Sequence, residues 1–239
     1  MKPIYKQQFT LSNIHVDRYG RAKPATLLYF VQEAAGQHCR LLEVDQSHLA
    51  PKHLFWAVSR NRVQITRLPR LGETVYVETW PMPTTRVAYP RSVVAYDENH
   101  NELFRSISLW VLMDANTRGM LLPGKSDVTV NGIVVGSELD APRAIATRPM
   151  ASKATKTVGY SLLDCNGHMN NTRYMDWVAD LLPSQFHQDH PVQEFTVCYM
   201  NEAREGDEID LSFALDQGEI LTVDAQRNGD RIFSAQVLF

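Results

Sequence analysis

Four residues in two stretches of this chain can do chemistry together. Asp164, Asn166 and His168 sit at alternate positions of one short segment, and Glu202 lies farther along. A histidine titrates near neutral pH and serves as acid, base or hydrogen-bond donor. An asparagine amide donates to a carbonyl or holds a water, and a pair of carboxylates can deprotonate water or stabilise an imidazolium. A helix starting just past Asn170-Asn171 would add free N–H groups able to stabilise an oxyanion. Such a set suits hydrolysis of an activated carbonyl. Each member also has an ordinary use: His168 as a polar loop residue, the asparagines as helix caps, and Glu202 beside Arg204 as a surface ion pair worth about 0–1 kcal/mol. Cysteine offers two competing readings. Cys165 precedes His168 by three residues and Cys198 precedes Glu202 by four, a nucleophile arrangement that lacks any further helper. Cys165-x2-His168 followed by His187-x2-His190 copies a zinc ligand count, but the second pair lies in a polar stretch. No metal and no cofactor is assigned.

The elements that must position these residues come in two similar series. Residues 23–43 carry Leu27, Val31, Ala34, His38 and Leu41 at helical spacing, opened by Pro24, and predict a long helix. Strands are predicted over 56–65, 73–80, 91–96 and 104–113, with a polar hairpin at 97–101. Periodicity fades from 114 to 156 among Gly, Pro and Asn, and then the series restarts. A helix over 171–182 is followed by strands over 194–200, 208–215, 220–226 and 231–239. Asp17-Arg18-Tyr19-Gly20-Arg21 before the first helix matches Asp164-Cys165-Asn166-Gly167-His168 before the second, and Arg70-Leu71-Gly72-Glu73 matches Arg204-Glu205-Gly206-Asp207. Two copies of one supersecondary unit must solve the same burial problem. Residues 1–135 are read as an N-terminal unit, 136–156 as a connecting segment and 157–239 as a C-terminal unit. The fold class is α+β, each unit a long helix wrapped by an antiparallel sheet, with the second copy covering the first one's open edge. The copies differ where chemistry would sit. Opposite Asn166, His168 and Glu202 the first copy has Tyr19, Arg21 and Leu68, and only the aspartate is kept. Residues that merely built turns would be kept in both.

Composition narrows the functional classes. The 239 residues are 44% hydrophobic and 21% charged, ordinary globular values. Twenty-four Lys and Arg against 27 Asp and Glu, with no block of like charge, disfavour nucleic acid as a partner. No apolar run approaches the roughly 18 residues of a membrane span, and the opening residues MKPIYKQQF lack an apolar signal region. Three cysteines cannot all pair within one chain, so reduced thiols and a cytoplasmic location are expected.

The string Asp164-Cys165-Asn166-Gly167-His168-Met169-Asn170-Asn171-Thr172-Arg173-Tyr174 resembles the D-x-N-x-H-[VM]-N-N-x-x-Y signature of acyl-acyl-carrier-protein (acyl-ACP) thioesterases of the plant and bacterial type. Trp110-Val111-Leu112-Met113-Asp114-Ala115-Asn116-Thr117-Arg118 is similar to that family's W-x-x-M-x-x-x-T-R stretch. The resemblance implies a tandem, or double, hot-dog fold and hydrolysis of the thioester joining a fatty acyl chain to acyl carrier protein, which releases free fatty acid and ends chain elongation. By matching position, Asp164, Asn166 and His168 fall on the family's catalytic loop and Glu202 on its downstream acid. The plant pattern has a cysteine directly after that glutamate where this chain has Ala203, which favours a Glu202-activated water over a covalent cysteine. Attack by Asp164 through an anhydride stays open as a variant. The resemblance further implies that the first unit shapes an acyl tunnel, with Leu27, Phe30, Val31, Ala34, Trp56 and Val58 as lining candidates. An acidic carrier protein would need a basic landing site, for which Arg60, Arg62, Arg67 and Arg70 are the candidates. The competing functions are an acyl-coenzyme A thioesterase, a non-catalytic acyl-binding module and a hydratase. A homodimer through edge strands is left open.

Overall fold

The computed structural model describes residues 3–136, 139–146 and 148–239. Residues 1 and 2 of the N-terminal unit and 137, 138 and 147 of the connecting segment lie outside the described residues. The first series runs β1 (Tyr5–Thr10), α1 (Pro24–Leu41), α2 (Gln46–Leu49), β2 (Leu54–Ile65), β3 (Thr74–Pro81), β4 (Tyr89–Tyr96), β5 (Glu102–Asp114) and the short β6 (Met120–Leu121). The second runs β7 (Ser152–Thr157), α3 (Tyr174–Ala179), α4 (Ser184–Asp189), β8 (Glu194–Tyr199), β9 (Glu208–Asp216), β10 (Ile220–Arg227) and β11 (Asp230–Leu238).

Pro24 opens α1 at a position whose N–H has no intrahelical acceptor, so its missing donor costs nothing. Leu27, Phe30, Val31, Ala34 and His38 form the buried face of the helix. The sheet that receives this face is one antiparallel layer in the order β1-β3-β4-β5-β2-β8-β11-β10-β9-β7, with β6 added alongside β5. Its two halves mirror each other about the β2–β8 pair, which runs in register from Arg60 opposite Cys198 to Gln64 opposite Glu194. Helices α1 and α3 lie on the same side of this sheet and share one core, in which Phe30 and Val31 join Met175, Val178, Phe195 and Phe233. This is the α+β tandem hot-dog fold: two helices, each wrapped by its own half of a continuous sheet.

The matched loops are duplicated bond for bond. Asp17 Oδ1 accepts the backbone N–H of Tyr19 at 2.8 Å and of Arg21 at 3.0 Å; Asp164 Oδ1 accepts those of Asn166 at 2.8 Å and His168 at 3.2 Å. Gly20 and Gly167 turn the chain at φ +73° and +76°, where a Cβ would be strained. Ala22 donates to the Pro69 carbonyl as Met169 does to that of Ala203, both at 2.8 Å.

Three elements depart from the expected boundaries. The second helix is Tyr174–Ala179 rather than 171–182, because residues 170–173 form a capped turn before it and Pro183 prevents its continuation. The polar stretch around Gln185 is helical, as α4, held by Phe186 against Phe239. The last part of the connecting segment forms β7, an exposed strand at the sheet edge paired with β9.

In the first copy the loop is a clamp. Tyr19 donates its hydroxyl to the Ser184 carbonyl at 2.8 Å, and the Arg21 guanidinium donates to the carbonyls of His187 at 2.5 Å and Gln188 at 3.3 Å, near the C-terminal end of α4. A cation on the last carbonyls of a helix is favourably placed. Arg21→Met should cost about 2 kcal/mol and lower the melting temperature by roughly 4–8 °C in a domain of this size. Thermal denaturation followed by circular dichroism checks this, and an unchanged midpoint would contradict the clamp.

Candidate active site

The second copy of the loop leaves its side chains free for other use. Asp164 Oδ1 is committed to the backbone N–H groups of Asn166 and His168, and the Asp164 N–H donates to the His168 carbonyl at 2.8 Å. Its carboxylate therefore sets the loop's shape. The Met169–Ala203 bond and a bridge between His168 and Arg204 tie this loop to the segment carrying Glu202. As a result His168 Nε2 lies 3.1 Å from Glu202 Oε2, with the two side chains 19% and 34% exposed. Arg227 steadies the same segment by donating to the Glu202 carbonyl at 3.4 Å.

A third side chain arrives from the other unit. Beyond β5, Asp114 Oδ1 accepts the N–H groups of Asn116 and Thr117 at 2.8 Å each, and the Arg118 N–H donates to the Asp114 carbonyl at 2.9 Å. This tight turn puts Arg118 in the left-handed region at φ +57° and sends its guanidinium over the Phe55 ring, 5.3 Å from the centroid. The guanidinium meets Glu202 at Oε2, the oxygen that also faces His168. Among the described residues Oε1 of Glu202 has no hydrogen-bond partner. Tyr174 lies buried nearby, its ring packed on Phe233 and Tyr199, and burial pushes its phenol well above the usual tyrosine range. The carboxylate is thus gripped at one oxygen and open at the other.

Arg118 was not among the residues expected to act. The signal for it was present: its Thr117-Arg118 stretch fits a family string although the first unit lacks the catalytic set, and Asp114-Ala115-Asn116-Thr117 is an aspartate-capped turn.

Asn166 stands exposed on the loop near His168. Several of the N–H groups at the helix start, where an oxyanion was expected to be held, are engaged within the turn. Asn170 Oδ1 accepts that of Thr172 at 2.9 Å, and carbonyls within the turn accept those of Arg173 and Met175. Asn170 thus caps the turn that precedes α3, not the helix itself. Leu27, Phe30, Val31 and Ala34 are sealed in the shared core, whereas Trp56 and Val58 are partly exposed on β2. Trp56 donates its indole N–H to the Val44 carbonyl at 2.8 Å and meets Tyr89 edge-on.

Cys165 is exposed, whereas Cys198 is buried with its thiol 3.7 Å from the Arg143 carbonyl. His187 and His190 each bond a backbone carbonyl, of Ala179 and Phe186, and no group of three metal-type side chains is gathered among the described residues. Of Arg60, Arg62, Arg67 and Arg70, expected as a basic landing site, the first three are engaged. Arg62 pairs with Glu194, Arg60 donates to the Pro142 carbonyl and Arg67 pairs with Glu73, because strand alternation puts Arg60 and Arg62 on the face crossed by the connecting segment.

Residues 2–122 match the family model of the acyl-ACP thioesterase N-terminal domain, and residues 148–239 that of the C-terminal domain. The chain belongs to the acyl-ACP thioesterase family. A palmitoyl-acyl carrier protein thioesterase of Gossypium hirsutum is 26% identical over 215 residues, covering 83% of this chain and 52% of that protein. A dodecanoyl-[acyl-carrier-protein] hydrolase of Cinnamomum camphora is 24% identical over 217 residues, covering 83% and 56%. The chain thus spans little more than half of these curated relatives, both named as chloroplastic. An acyl-ACP thioesterase from Bacteroides thetaiotaomicron, known from its crystal structure, superimposes with a TM-score of 0.91 at 26% identity, over 99% of this chain and 98% of that one. The 12:0-ACP thioesterase of Umbellularia californica shares the fold, with a TM-score of 0.84 at 21% identity over 100% and 97% of the two chains. Among the described residues no helix is long and apolar enough to cross a membrane.

Among the described residues Arg118 touches Glu202 and not the side chains of the Asp164–His168 loop, so any effect it has on chemistry there would pass through that carboxylate. Its exposed ion pair contributes about 0–1 kcal/mol to stability, but a carboxylate displaced by an ångström loses much of its reactivity. If Glu202 serves as a base in thioester hydrolysis, Arg118→Ala should cut turnover by roughly ten- to a hundredfold with little change in melting temperature, and Arg118→Lys should recover part of the loss. Equal turnover in all three proteins would remove Arg118 from the site.

Proposed function

We propose that this chain hydrolyses the thioester of fatty acyl-ACP in the cytoplasm, releasing free fatty acid and ending chain elongation. The observation that carries the reading is Glu202, held at Oε2 by His168 of one unit and Arg118 of the other, with Oε1 open beside the loop of Asp164, Asn166 and His168. Family membership, and acyl-ACP hydrolases among the relatives, support the same substrate class.

Glu202 Oε1 takes a proton from water as the water oxygen attacks the thioester carbon. The carbonyl oxygen becomes an oxyanion, for which the exposed Asn166 amide is a donor. Collapse of the tetrahedral intermediate breaks the carbon–sulfur bond, and the departing thiolate recovers the proton from Glu202. Free fatty acid and the carrier-protein thiol are the products. His168 keeps the carboxylate oriented, and Asp164 holds Asn166 and His168 on one loop. In this scheme no cysteine acts.

The test is thiol release from acyl-ACP and, with the same acyl group, from acyl-coenzyme A. Glu202→Gln and His168→Ala should each lower the rate on acyl-ACP by about 10²–10⁴-fold, while Cys165→Ser and Cys198→Ser should stay near the wild-type rate. A preference for the coenzyme A ester would reassign the carrier. Acyl binding with no thiol released would make the protein a binding module.

A further inference from the structure

The β2–β8 pairing relates the two units by a pseudo-twofold, so the junction at which Arg118 meets Glu202 has a counterpart on the other side. There the first unit's loop stands in place of the Asp164–His168 loop, and Leu68 stands in place of Glu202. Two contacts fix this equivalence. Ala22 donates to the Pro69 carbonyl as Met169 does to that of Ala203, and a bridge between Arg21 and Arg70 matches the one between His168 and Arg204. A cavity of about 850 Å³ opens at this counterpart. It is bordered by the loop of Asp17, Arg18, Tyr19 and Arg21, by Leu68, by α3 and by residues between Leu182 and Val192. Among the described residues, none of Asp164, Asn166, His168, Glu202 or Arg118 lines it. Its volume falls within the roughly 300–1,000 Å³ of ligand clefts.

The lining has two parts. Leu68, Met175, Val178, Leu182, Val192 and Phe239 supply an apolar floor. Leu68, Leu182 and Val192 are only partly buried and pack on the shared core, so the floor is continuous with it. The rim is charged and unbalanced. Asp17 is paired with Arg21, Asp176 with Arg173 and Asp180 with Lys156. His187 and His190 each bond a backbone carbonyl through one ring nitrogen. That leaves Arg18 and Lys23, which border the cavity and have no carboxylate partner among the described residues. The Arg18 guanidinium lies over the Tyr19 ring, 5.5 Å from its centroid, with that of Arg21 5.0 Å from the same ring. The bonds of Tyr19 and Arg21 to the Ser184 and His187 carbonyls tie one wall to the other and hold the cleft's shape. An apolar floor beneath two unpaired cations suits an amphipathic anion: burial of the tail gives affinity, and the cations orient the head.

We propose that this cleft binds a fatty carboxylate, with its tail along Leu68, Val192 and Phe239 and its head at Arg18 and Lys23. The site goes beyond the thioesterase reading, which would only supply the ligand, and it uses no residue of the Glu202 site. The difference between the twins explains the choice of ligand. At the first junction a free carboxylate would meet the Glu202 carboxylate, and like charges at short range disfavour each other. Leu68 removes that repulsion at the second junction and adds apolar surface for the tail. The cleft thus accepts the kind of head group that its twin repels.

The experiment titrates the full chain with octanoate, decanoate and decan-1-ol by calorimetry, and locates the bound acid with a diazirine-bearing decanoate, photolysed and mapped by mass spectrometry. Each methylene buried on the floor should tighten binding by about fourfold, so decanoate should exceed octanoate by about tenfold or more. Label should fall within residues 175–192, which border the cleft, and excess decanoate should displace it. Arg18→Glu with Lys23→Glu should weaken this binding by about tenfold. An acidic residue at the start of α1 is favourable to the helix, so the charge reversal leaves the fold intact. Leu68→Trp, which fills the floor, is the second variant and should abolish the labelling. Decan-1-ol binding as tightly as decanoate, label confined to the Asp164–Glu202 region, or binding unmoved by both variants would each overturn the site. Loss of the thioesterase reading would not touch the result, because the ligand is the free acid and no turnover is read.

Discussion

The antiparallel pairing of β2 with β8 is the constraint on which the rest of this molecule depends. A half-sheet with an open edge offers unpaired N–H and C=O groups to any passing strand. Here the two most vulnerable edges cover each other over the register from Arg60–Cys198 to Gln64–Glu194. Because the pairing relates the units by a pseudo-twofold, whatever one unit extends across the junction meets the other's loop region. Arg118 crosses one way to Glu202, and Ser184 to Gln188 are met from the other side by Tyr19 and Arg21. The connecting segment closes the outer face of the same junction, where its carbonyls at Asp140, Pro142 and Arg143 accept from Arg62, Arg60 and Cys198. Just before this segment, at Gly132, the chain passes so close to the Met82 carbonyl that any Cβ would overlap it.

Within that frame one loop serves two ends. Asp17 and Asp164 do the same work, capping two backbone N–H groups each, so the backbone course is held in common. The divergence lies in the side chains at two positions. Tyr19 and Arg21 are long and spend their donors on carbonyls of the neighbouring unit, which gives rigidity and leaves nothing to react. Asn166 and His168 are shorter, and they leave the Glu202 carboxylate accessible from one side. Packing and reactivity are alternative uses of the same space.

Much of this was legible in the sequence, for identifiable reasons. Helix α1 and the alternating strands declare themselves because burial on one face imposes a period. The duplication shows through Asp17, Gly20 and Gly72 and their counterparts, since left-handed turns and their caps tolerate few residue types. The His168–Glu202 pairing was legible in kind because both residues diverge from their twins. What stayed hidden depends on contacts between units. Helix α4 has a polar sequence and is held by tertiary partners, β7 is an exposed edge strand without a buried face, and the Arg118–Glu202 contact exists only through the β2–β8 register. Arg60 and Arg62 look like surface cations until the connecting segment is laid across them.

The comparison of twins also explains where polar groups are tolerated inside. The unit that carries the Asp164–His168 loop has an apolar row, Val197, Ala235 and Val223, across its strands. The matching row of the first unit is Arg91, Ser108 and Asn61. Buried polar atoms that lack partners are retained at a cost in stability. A duplicated fold makes that cost visible, because the twin shows that the same strands close without them. The two differences between the copies therefore run in opposite directions: the unit with Asn166, His168 and Glu202 has the apolar row, and the unit with Tyr19, Arg21 and Leu68 has the polar one.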